Sequence, residues 1–92
     1  MALFAVTGST DLNGKGKRVV SWHFANTGVA ATINIRDGSV TATRYIQICL
    51  PVGSTTPESK ALAYGQQSAP LFPNGVYVEV LSGTIVGSVD LV

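Results

Sequence analysis

Gly75-Val76-Tyr77-Val78-Glu79-Val80-Leu81-Ser82-Gly83-Thr84-Ile85-Val86-Gly87-Ser88-Val89 decides the fold class of this chain. Val76, Val78 and Val80 recur at period two, with Tyr77, Glu79 and Leu81 on the opposite face. β-Branched side chains at this density lose rotamer freedom in a helix and pack well on a pleated surface. The segment reads as two strands, with Ser82-Gly83 as the two-residue turn of a β-hairpin. The valines of the first strand face the core. Ile85, Gly87, Val89 and Leu91 share one face of the second.

The same alternation runs upstream. Ala2 to Val6 reads as a first strand, and Gly8 to Gly16, rich in turn formers, as a loop. Arg18 to Asn26 reads as a strand with Val20, Trp22 and Phe24 on one face and Val19, Ser21, His23 and Ala25 on the other. Trp22, the only tryptophan, is the natural core anchor. After a turn at Asn26-Thr27-Gly28, Ala31, Ile33 and Ile35 alternate with Thr32, Asn34 and Arg36, and Asp37-Gly38 gives a hairpin signal. Val40 to Val52 reads as one long extended stretch. Ile46, Ile48, Leu50 and Val52 lie on one face of it, and Tyr45, Gln47 and Cys49 on the other. Pro51 lacks an N–H and places the strand end at an edge or a bulge. Gly53 to Ser59 is a polar loop, and Lys60 to Tyr64 is too short for more than one helical turn. Pro70 to Phe72 is a short strand, followed by a tight turn at Pro73-Asn74-Gly75. The expected fold is all-β: an antiparallel β-sandwich or a jelly-roll-like barrel of six to eight short strands. The 92 residues make a single domain, 1–92, with 1–17 as an N-terminal arm and loop.

Hydrophobic residues make up 46% of the chain and charged residues only 12%, against about 25% charged in an average domain. An apolar-rich, charge-poor surface on so small a chain points to coverage by other chains. The net charge of +1 gives no electrostatic footprint for nucleic acid. Lys15, Lys17 and Arg18 form the one basic cluster and read as a solvated loop. Cys49 is the single cysteine, so an intramolecular disulfide is impossible. Its apolar strand predicts a buried, inert thiol. No apolar run approaches the roughly 18 residues of a membrane span, and Met1 to Val6 lacks the basic flank of a signal peptide. The expectation is no membrane partner, and synthesis in the cytoplasm.

The search for chemistry returns little. His23 is the only histidine, so any Ser-His-Asp or Cys-His arrangement must use it. Its place beside Trp22 in a strand fits an ordinary half-buried or interface imidazole. A zinc site needs three or four ligands, and no spacing here supplies them. Asp11, Asp37 and Glu58 fall in loops or turns, and Glu79 and Asp90 on neighbouring strands of the last hairpin, where a solvated or interfacial pair is expected. Gly8 to Gly16 resembles a phosphate-binding loop only superficially: the spacing fails, and Gly16 stands where Ser or Thr should hold magnesium. The chain is expected to be no enzyme and to use no cofactor and no metal. Tyr45, Tyr64 and Trp22 would make a stacking platform only if exposed together. That is the requirement of the alternative reading, a receptor- or carbohydrate-binding β module.

Three stretches carry a family resemblance: Phe24-Ala25-Asn26-Thr27-Gly28, Ala31-Thr32-Ile33-Asn34-Ile35-Arg36-Asp37-Gly38-Ser39, and Pro73-Asn74-Gly75-Val76-Tyr77-Val78-Glu79-Val80 to Gly83. Over residues 18–92 the chain resembles small β-sandwich structural proteins of tailed bacteriophages, of the capsid decoration (cement) type. The resemblance implies a non-enzymatic protein on the exterior of the virion. It would bind the major capsid protein and bridge capsomers, commonly as a homotrimer. Leu3, Phe4, Tyr77, Glu79 and Leu81 are the expected interface residues. Met1-Ala2-Leu3-Phe4 serves either as a tether added to a neighbour's sheet or as the first strand of its own.

Overall fold

The computed structural model describes residues 2–51, 59–64 and 69–92. Met1, the loop expected from Gly53 onwards and Glu58 lie outside the described residues. Eight strands follow in order: β1 (Ala2–Val6), β2 (Thr10–Asp11), β3 (Val19–Asn26), β4 (Ala31–Asp37), β5 (Tyr45–Leu50), β6 (Ser59–Ala63), β7 (Val76–Ser82) and β8 (Ile85–Leu91).

Their pairing follows one rule. The chain doubles back about the β4–β5 connection, so that β4 pairs with β5, β3 with β6, β2 with β7 and β1 with β8, all antiparallel. That long double ribbon is then rolled up, bringing β8 against β3 and β7 against β4. The result is two four-stranded sheets, β1-β8-β3-β6 and β2-β7-β4-β5, packed as a sandwich. This strand order is that of an eight-stranded jelly roll, the second of the two architectures expected from the sequence.

The Ser82-Gly83 hairpin does not form. β7 and β8 lie in different sheets, and the short connection between them arches across the end of the sandwich. Both flanks of β7 are taken, by β2 and β4, and both flanks of β8, by β1 and β3. A two-stranded ribbon would bury one shared face, whereas the arch sets the two apolar faces against each other across a core. Val76 and Val78 from β7 and Ile85, Val89 and Leu91 from β8 are all buried there. Gly83 holds the arch at φ +80°, and a Cβ there would stand 2.5 Å from the Ala30 carbonyl oxygen. Glu79 and Asp90 consequently lie in different sheets, not on neighbouring strands.

Phe24, Phe72, Ile33, Ile35 and Leu50 are the largest side chains closing the core, and Trp22 stacks on Phe24 with ring centroids 5.8 Å apart. Four local expectations are corrected. A bulge between Val19 and Ser21 turns Val19 inward, so Val19 and Val20 are both buried. The extended stretch expected over Val40 to Val52 is a strand only from Tyr45, because the chain turns between Asp37 and Arg44 to pair β5 with β4. Ser59 to Ala63 is an edge strand, its backbone taken up by β3, and not a helical turn. Cys49 is exposed: it has the parity of Tyr45 and Gln47, opposite to the inward Ile48 and Leu50.

Candidate interaction surface

Antiparallel order sends the connections alternately to two ends of the sandwich, and the described residues of these ends differ in charge. One end gathers the loops 12–18, 38–44 and 69–75. It carries Asp11, Lys15, Lys17, Arg18, Asp37 and Arg44, with Asp90 near the end of β8. Hydrogen bonds tie these loops together. The Asn13 amide donates to the Gly38 carbonyl at 2.8 Å. The Asp37 carboxylate accepts from the Asn74 backbone N–H at 2.9 Å and from its side-chain amide at 3.2 Å. Arg18 donates to the Ala69 carbonyl at 2.9 Å. Two shallow clefts open here, about 400 and 300 Å³ in volume, with Asn74 in the wall of both.

Among the described residues, the opposite end is formed by 7–9, 27–30 and 83–84, with Pro51 after β5. Register brings them together: Val6 sits beside Gly87, Asn26 beside Ile85, and Thr32 beside Ser82. No charged residue occurs in these three connections. Large apolar side chains stand out around them, with Val29 60%, Val86 51% and Leu81 50% exposed. Asn26 stiffens this end from within. Its amide donates to the Pro51 carbonyl at 2.7 Å, and its oxygen accepts from the Gly28 N–H at 3.0 Å.

The five residues expected at an interface do not form one surface. Leu81 lies at the end with Val29 and Val86. Tyr77 and Glu79 lie on the outer face of the β2-β7-β4-β5 sheet, both half-buried. Leu3 projects from the outer face of the other sheet at 69% exposure, and Phe4 packs inward against the core. β1 pairs with β8 of its own sheet along its whole length, so in this structure the N-terminal segment is a strand of the sandwich. Val29 and Val86 escaped sequence reading because their neighbourhood exists only once three connections meet.

Glu79 is committed within the molecule. Its Oε1 accepts from Arg36 Nε at 2.7 Å, and both side chains are 15% exposed. Arg36 also donates from Nη1 to the Ala42 carbonyl at 2.7 Å, and its guanidinium lies 4.5 Å from the centre of the Tyr45 ring. Asn34, only 2% exposed, is best oriented with its side-chain oxygen accepting from Arg36 Nη2 at 3.0 Å. One guanidinium thus joins β4, β5, β7 and the loop before β5, using the planar fork that lysine lacks. Arg36→Met is expected to cost about 1–3 kcal/mol, because Glu79 and the buried Asn34 lose their donor. Arg36→Lys should restore only part of that. Urea denaturation measures both, and a lysine variant as stable as the parent contradicts this role.

The aromatic platform of the carbohydrate-binding reading is not assembled. Trp22 is buried facing the core, where its indole N–H donates to the Tyr64 hydroxyl at 3.4 Å, while Tyr45 stands on the outer face of the other sheet. His23 is exposed on the outer face of the β1-β8-β3-β6 sheet, opposite Ser88 in register. Among the described residues, no three of His, Cys, Asp and Glu come together as metal ligands. No family model matches the chain, and no curated protein or solved structure is significantly similar to it.

Proposed function

We propose that this is a non-enzymatic structural protein of a virion, a capsid decoration (cement) protein. It works without metal or cofactor on the outside of the capsid, after synthesis in the host cytoplasm. Its partner is the major capsid protein, and its own copies associate as a homo-oligomer, with a trimer at three-fold positions the arrangement the family resemblance implies.

The observation that carries this reading is the segregation of charge between the two ends among the described residues. Burying an unpaired charge costs several kcal/mol. An end with no charge in its described connections, and with Val29, Leu81 and Val86 exposed, can be covered by another protein without that cost. A patch of this size holds weakly on its own, but contacts repeated over a symmetric shell add up through avidity. The charged end, facing outward, keeps the assembled surface hydrated.

Particles assembled without the protein provide the test. Wild-type protein should co-sediment with them, whereas Leu81→Lys combined with Val29→Asp should lower binding by roughly tenfold or more, the effect of about 1.4 kcal/mol lost per contact. Both side chains are at least half exposed, so the melting temperature should stay within a few degrees. Undiminished binding by the double variant would sink the assignment of this end, and a wild-type protein that ignores the particles would sink the function.

A further inference from the structure

Among the described residues, four strands end the two sheets: β1 and β6 in one, β2 and β5 in the other. Open edges recruit other strands unless something blocks them, and short length, charge and proline are the usual blocks. β2 has only two residues. β5 is bracketed by Arg44 and Pro51, and β6 carries Lys60. β1, Ala2-Leu3-Phe4-Ala5-Val6, has none of these: five uncharged residues with neither proline nor bulge.

We propose that the β1 edge is a self-association site at which a second copy of this chain pairs antiparallel through its own β1. The two sheets then join across a two-fold axis. Charge and size both favour a second copy. With the axis at Phe4, each Leu3 lies opposite an Ala5 on the outer face and each Ala2 opposite a Val6 on the inner one, so large meets small at every flanking position. No charge lies in either strand to oppose its like. The nearest acidic side chain in that row, Asp90, is one strand further in, opposite Leu3. The contact is isologous and closes as a dimer, so it is distinct from any three-fold contact. Five residues a side fall well short of the roughly 20–30 of a standard stable interface, so the dimer is a weak one, in reversible exchange with monomer.

Sedimentation equilibrium of the free protein over a concentration series tests this, starting from a monomer of 9.6 kDa. The expected result is a monomer–dimer equilibrium. Leu3→Lys with Ala5→Lys places lysines opposite one another at exposed positions and should weaken the dimer about tenfold or more. Leu3→Glu with Ala5→Glu should do the same, and an equimolar mixture of the two variants should restore a heterodimer. Unchanged melting temperatures establish that the fold is intact. A protein monomeric throughout, a trimer, a dimer that persists in the lysine variant, or a mixture that fails to associate would each overturn the proposal. A trimer would do so while leaving the proposed function standing.

Discussion

Gly87→Val should abolish cooperative folding. Gly87 lies in β8 between Val6 of β1 and Phe24 of β3. A Cβ added there would collide with the His23 carbonyl oxygen and stand 2.7 Å from Phe24 Cδ1 and 2.9 Å from Phe24 Cα. Two of those atoms are backbone, so no side chain can swing aside. β3 and β8 would have to separate at the centre of their sheet. Overpacking of this kind costs typically 1–3 kcal/mol, and more where backbone must move. A domain of this length has only about 5–14 kcal/mol in total. Gly87→Ala should lose about 3 kcal/mol in urea denaturation, and the valine variant should show no cooperative transition. An alanine variant as stable as the parent would mean that the close approach of β3 and β8 is not as described.

Phe24→Ala should be nearly as damaging, for the opposite reason. Phe24 is fully buried and stacked on Trp22 with the ring planes 25° apart. Truncation removes the ring and leaves a cavity that the two sheets cannot close. Changes of this kind cost about 3–5 kcal/mol. At this size each kcal/mol is worth about 4–8 °C, so the melting temperature should fall by about 12 °C or more. Val86→Ala, at a half-exposed position, should change stability by less than about 0.5 kcal/mol. Equal effects at the two positions would contradict the placement of the core.

How much of this was legible beforehand is best seen in β7 and β8. The period-two alternation identified both strands and their inward faces, and Val76, Val78, Ile85 and Val89 are buried as read. Alternation reports which side of a strand meets the core, not which strand lies beside it. A hairpin and an arch across the core place the same residues inward, so alternation does not distinguish a hairpin turn from an arch at Ser82-Gly83. Asp37-Gly38 marked the one adjacent pair that does form a ladder, β4 with β5. Val19 departs from simple alternation because a bulge changes parity locally, and Cys49 is exposed because strand parity, not its apolar neighbours, sets its side. The Arg36 network is not visible in the sequence because Glu79 comes beside Arg36 only through pairing of β4 with β7, a strand distant in sequence. The patch of Val29, Leu81 and Val86 is hidden similarly: three short neutral connections mean little until the roll-up sets them side by side.

The chain is expected to seat on a larger assembly by the end that exposes Val29, Leu81 and Val86. Cryo-electron microscopy of shells decorated with the purified protein measures this directly. The expected image places residues 7–9, 27–30 and 83–84 against the shell, with Lys15, Lys17 and Arg44 pointing to solvent. Shells that remain bare at saturating protein, or density in which the charged loops make the contact, would contradict it.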